Sequence, residues 1–155
     1  MTYLTANFSY DELTASDTAV RLGIDNTPDY HALGNLHILA EGLERIRAAL
    51  GMPVIVSSGY RSPKLNAAVR GSPTSAHLAG LAADFRAPKF GSPSAVAREL
   101  QDQKYTIGFD QLILEFGQWV HVSFRDPNEK PRGQVLTAVR DGDAGVMYLN
   151  GVLAV

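Results

Sequence analysis

The chain has 155 residues, 45% of them hydrophobic and 19% charged, which is enough to bury one core and too apolar for a disordered polymer. A formal charge of -2 argues against a nucleic-acid partner, which needs a clustered basic face. With no cysteine, disulfides and thiolate metal sites are excluded, and histidine and carboxylates remain as the strong metal ligands.

No apolar run approaches the roughly 18 residues of a membrane span, so no membrane insertion is expected. Residues 1–8 lack the basic start and apolar stretch of a secretory leader, and Asp11 and Glu12 follow soon after. The expectation is a monomeric single domain, 1–155, made in the cytoplasm without a signal peptide.

Ser9-Tyr10-Asp11-Glu12 places a hydroxyl three positions before a glutamate, the reciprocal cap of a helix start, and a short helix is expected from Tyr10 to Thr14. Ser16 to Leu22 reads as a further turn or two, broken by Gly23 and Asn26-Thr27-Pro28. From Leu33 to Leu50, Leu36, Leu39, Leu43, Ile46 and Leu50 recur at steps of three and four, the period of a helix with one buried face; Gly51 and Pro53 end it. His31 and His37, in or beside this helix, lack a ligand-like context and are assigned to surface or packing roles.

Val54-Ile55-Val56-Ser57 reads as a short buried strand that turns at Ser58-Gly59-Tyr60-Arg61-Ser62-Pro63 and displays Arg61 at its end. Tyr60 is expected in the core. After a helical turn or two from Leu65 to Val69, a loop through Gly71-Ser72-Pro73-Thr74 delivers Ser75 and His77. Ala82 to Arg86 reads as a strand bearing Asp84, and Ser92-Pro93 opens a helix running to about Lys104. The runs 111–116 and 119–124 around Gly117 read as a β-hairpin in which Trp119 and His121 share a face. A three-residue loop would put Glu115 on that face too; a two-residue loop would turn it away. Val135 to Val139 and Val146 to Val152 read as a closing hairpin with no chemistry of its own.

Ser75, His77, Gly80, Ala82 and Asp84 form the pattern Ser-x-His-x-x-Gly-x-Ala-x-Asp, preceded by Ser58-Gly59-Tyr60-Arg61 and followed by Trp119-x-His121. A histidine with an aspartate seven residues on is a common coincidence, but three motifs in this order resemble the M15 group of zinc D-Ala-D-Ala carboxypeptidases and peptidoglycan endopeptidases, phage endolysins among them. The resemblance runs from about Phe8 to Arg125. It implies an α+β domain, with N-terminal helices packed on a small, mainly antiparallel sheet that carries a zinc cleft, as in hedgehog and D-Ala-D-Ala peptidase folds. It also implies a zinc ion held by His77, Asp84 and His121, the two-nitrogen, one-oxygen donor set of a hydrolytic site with a fourth position left open. Arg61 would bind substrate beside the scissile bond, and Ser75 would donate to substrate or cap its loop. The implied substrate is the peptidoglycan stem peptide or cross-link, reached in the cell wall or periplasm after release from the cell.

Many members of that group carry an acidic residue three positions before the second histidine, where this chain has Gln118. An amide cannot take a proton from water, so the general base must come from elsewhere. Glu115 is the candidate and Asp110 the reserve. Two rival readings follow: a zinc-bearing binding module without catalysis, as in the hedgehog signalling domain, and a metal-free structural domain such as a phage tail component.

Overall fold

The computed structural model describes residues 2–143 and 145–154. Two short helices lead in, α1 (Tyr10–Thr14) and α2 (Asp17–Leu22). In the α1 cap, Glu12 N donates to Ser9 Oγ and Ser9 N donates to the Glu12 carboxylate, so two otherwise orphaned amides are satisfied. The long helix α3 (Tyr30–Leu50) starts at Asp29, whose carboxylate accepts from Ala32 N, and stops at Gly51 in the left-handed region at φ 64°. The expected stripe of Leu36, Leu39, Leu43, Ile46 and Leu50 is buried, while His31 and His37 are exposed.

The sheet has six strands in the order β1 (Ile55–Ser58), β2 (Ala82–Arg86), β4 (Trp119–Ser123), β3 (Gln111–Glu115), β5 (Gln134–Asp141), β6 (Gly145–Asn150). Only the β3–β5 pair is parallel. The rear face presents Phe85, Leu112, Leu114, Val120 and Val122, which pack with the α3 stripe and with Val96 and Leu100 of α5 (Pro93–Asp102) into one cluster. Each such side chain contributes about 1.5–3 kcal/mol when fully buried. Gly42 makes room in α3 for the Phe124 ring, which occupies the space a Cβ would need.

Two expectations change. The 54–57 run is not a buried strand: β1 is an edge strand paired with β2 alone, Ile55 is exposed, and inward burial falls instead on Val54 just before it. The 71–74 loop delivers Ser75 and His77 as expected, and His77 sits on a 3-10 turn (Ala76–Ala79) in which Ser75 caps the His77 amide and Gly80, at φ 75°, ends the turn. The helix expected to Lys104 divides at Gln103 into α5 and a single turn, α6 (Lys104–Ile107). Tyr60 is in the core as expected, following β1 and preceding α4 (Pro63–Ala68).

The parallel pairing requires residues 124–133 to carry the chain back across the start of β3. Asp110 secures that return: its carboxylate accepts from the Arg132 backbone N at 2.9 Å and from the guanidinium nitrogens of both Arg132 and Arg125. No described helix is long and apolar enough to cross a membrane.

Candidate metal centre

The front face of the sheet carries the site, and strand register sets its layout. Asp84 stands opposite His121, His121 opposite Ile113, and Ile113 beside Leu136. One row along, Trp119, Glu115, Ala138 and Tyr148 follow one another across β4, β3, β5 and β6. Glu115 joins the His121 face because the hairpin loop is three residues long, 116–118. Phe116 and Gly117 both adopt positive φ, 55° and 67°, and Gln118 N donates to Glu115 O at 2.9 Å. Left-handed backbone costs a bulky residue about 1–2 kcal/mol. The Phe116 ring is held there by an edge contact with Trp119 and by the Arg140 guanidinium 4.4 Å from its centroid.

His77, Asp84 and His121 bring one donor atom each to within 4.8 Å of one another. Asp84 Oδ1 lies 3.3 Å from His77 Nε2 and 2.9 Å from His121 Nδ1. Four ligands placed tetrahedrally at about 2.0–2.1 Å from zinc stand about 3.3 Å apart, so these separations fit a tetrahedral ion with little movement. The donor set also has the right chemistry. Burial drives the His77 pKa down, favouring the neutral imidazole that binds metal. His77 Nδ1 donates to the Gly59 carbonyl at 2.6 Å, which leaves the Nε2 lone pair facing Asp84. Burial pushes the Asp84 carboxyl up, but the hydrogen bond from His121 Nδ1 outweighs it and holds the group far below the ordinary carboxylate range.

Arg61 stands over the other carboxylate oxygen, its terminal nitrogen 3.4 Å from Asp84 Oδ2. Ser58 Oγ and the Asn66 side-chain oxygen brace the rest of the guanidinium. Gly71 is required beside this brace, since a Cβ there would run into the Asn66 amide oxygen. Ser75 Oγ is occupied as acceptor for His77 N, and its O–H borders the same cleft.

The cleft has a volume of about 390 Å³ and is bordered by the three donor residues together with Arg61, Ser75 and Glu115. Glu115 is half-buried, and burial raises its pKa above the usual glutamate value. Asp110 also borders the cleft, but its ion pairs with Arg125 and Arg132 leave it a poor proton acceptor. Gln118 does not border the cleft; its carbonyl accepts from Arg86 Nε. Two further residues of the wall are Arg132, from the connection after β4, and Tyr148, from the closing hairpin. No local pattern marks them, because they reach the cleft only through the parallel β3–β5 pairing.

The family model described as Peptidase M15 matches residues 6–123. Among curated proteins, none matches the chain.

Proposed function

The chain belongs to the peptidase M15 family, and from that premise we propose that it is a zinc-dependent hydrolase of peptide bonds in peptidoglycan stem peptides or cross-links, folded as one domain. His77, Asp84 and His121 would hold the ion. Bound there, zinc polarises a scissile carbonyl and acidifies water. Hydrolysis adds water across the C–N bond, so one proton must travel from the attacking water to the departing amine. Glu115 is the base and carrier: it shares the metal-facing side of the hairpin, and desolvation raises its proton affinity toward the working range. Arg61 donates to the carbonyl oxygen as negative charge builds on it, and the Ser75 hydroxyl donates to a substrate carbonyl at the cleft wall.

The observation that carries this reading is the placement of Glu115 beside a trio of donor atoms spaced for a tetrahedral ion. It favours a hydrolase over a zinc-bearing binding module, which needs no carboxylate there. It also answers for Gln118, since the sheet brings an acid to the site from the facing strand. Action on the wall or periplasm after release, as for phage endolysins, and a monomeric state belong to the same proposal.

The test is digestion of purified Gram-negative peptidoglycan by zinc-loaded protein beside a Glu115→Ala variant, with fragments identified by mass. Cleavage lost in the variant while zinc stays bound supports the reading. An unmutated protein that binds zinc and releases nothing overturns it in favour of the binding module. A protein that takes up no zinc points to the structural domain.

A further inference from the structure

We infer that Arg70 is a specificity-determining residue whose guanidinium takes a free carboxylate of the substrate at the rim of the metal-side cleft. The inference rests on the peptidase reading above and adds a residue to it. A stem peptide is anionic, with free carboxylates at its C-terminus and on its acidic residues. A guanidinium meets such a group through two parallel hydrogen bonds.

The backbone at Arg70 is the first observation. Helix α4 ends in a turn where Gly71 N donates to Asn66 O at 2.8 Å and Arg70 N donates to Ala67 O at 3.1 Å. This pair of bonds closes a helix end around one left-handed residue, a place ordinarily filled by glycine. Here arginine fills it, at φ 58°. Among the described residues only Arg70 and Phe116 adopt positive φ without being glycine, and Phe116 opens the hairpin loop that sets the face of Glu115. A costly conformation kept beside a site points to a use for its side chain. Arg70 is exposed and borders the cleft.

The charge balance of the cleft is the second. Arg61 faces Asp84, while Arg132 and Arg125 share Asp110. Arg70 forms no ion pair among the described residues, so it is the arginine of the cleft left for an incoming anion. A shared frame is the third. Asn66 is buried; its side-chain oxygen accepts from Arg61 Nη1 at 3.3 Å, its amide nitrogen donates to Ser72 O at 2.9 Å, and its main-chain oxygen closes the Arg70 turn. One residue thus braces Arg61 and anchors the turn that carries Arg70. A carboxylate held at Arg70 is thereby positioned relative to the carbonyl that Arg61 receives.

The experiment titrates two peptides into zinc-loaded protein carrying Glu115→Gln, so that binding is read by calorimetry without turnover. One is a stem tetrapeptide; the other is the same peptide with every carboxyl group converted to an amide. Amidation should weaken binding about tenfold, and adding Arg70→Gly should remove that difference. A difference that survives Arg70→Gly overturns the inference, because the charge is then read elsewhere. Equal binding of the two peptides while Arg70 is present overturns it as well. So does the absence of binding, and digestion of intact peptidoglycan by the unmutated protein then shows whether the peptidase reading falls with it. Arg70→Gly should leave the urea midpoint unchanged or raise it, since glycine is the residue that the turn favours. A lower midpoint would mean that arginine stabilises the turn, which overturns the strain from which the inference starts.

Discussion

His77 Nδ1 lies 2.6 Å from the carbonyl oxygen of Gly59, and this bond fixes both the tautomer and the direction of the imidazole. Gly59 in turn packs so closely on Leu13 that a Cβ would collide with the Leu13 carbonyl oxygen. Gly59→Ala should therefore displace the carbonyl that orients His77. The expected outcome is a loss of about 10- to 100-fold in zinc affinity, read by chelator competition. Destabilisation of about 1–3 kcal/mol, read by urea unfolding, should accompany it.

Glu115→Gln keeps the shape of the side chain and removes its basicity. Turnover of peptidoglycan should fall by roughly 10²- to 10⁴-fold while zinc remains bound. Gln118→Glu in that background should not restore activity, because position 118 is outside the cleft. Restored activity would show that a base can act from the loop.

Arg61→Lys keeps a positive charge but loses the planar fork that reaches Ser58, Asn66 and Asp84 together. A drop in kcat of about 10²- to 10³-fold is expected for either Arg61→Lys or Arg61→Ala. A lysine variant with near-normal kcat would mean that charge alone suffices at this position.

Removal of zinc by a chelator should abolish activity and lower Tm, and zinc alone, added back, should restore both. Zinc at a thousandfold excess over its Kd stabilises the fold by about 4 kcal/mol, an increment that Asp84→Asn should largely remove. A Tm that ignores zinc would argue against the trio as its site.

Asp110 predicts an acid-side change in stability. Burial raises its pKa, but the hydrogen bonds and charge of Arg132, with the charge of Arg125, outweigh that and lower it below the ordinary aspartate value of 3.8. A group depressed on folding contributes stability that is complete above its unfolded pKa and is lost as pH falls through the folded one. The unmutated protein should thus lose stability below about pH 4. Asp110→Asn, about 1–3 kcal/mol less stable at neutral pH, should show a flatter acid limb. Parallel acid limbs for the two proteins would sink this assignment.

The sequence was most legible where a local rule governs. The α3 stripe, the serine caps and the alternation of Trp119 and His121 follow from periodicity and short-range hydrogen bonding, and they stand where periodicity puts them. The side taken by Glu115 depended on one residue of loop length, which a glycine at position 117 does not specify. Val54 to Ser57 looked buried because β-branched residues look alike in central and edge strands; only the sheet order distinguishes them. Tyr148 and Arg132 could not be read at all, since their place comes from a parallel pairing between strands separated by a whole hairpin and its return.

Strand order also sets how the centre can be lost. Asp84 and His121 ride on β2 and β4, each hydrogen-bonded to a strand on both sides, whereas His77 sits on a 3-10 turn and Arg61 between β1 and α4. Backbone amides at Asp84 and His121 should exchange with solvent deuterium only when the whole domain opens, while those around Arg61 and His77 exchange through smaller, cheaper excursions. Two donors are as durable as the fold, and the third can come and go, so loading and release of the ion should be paced by the 3-10 turn.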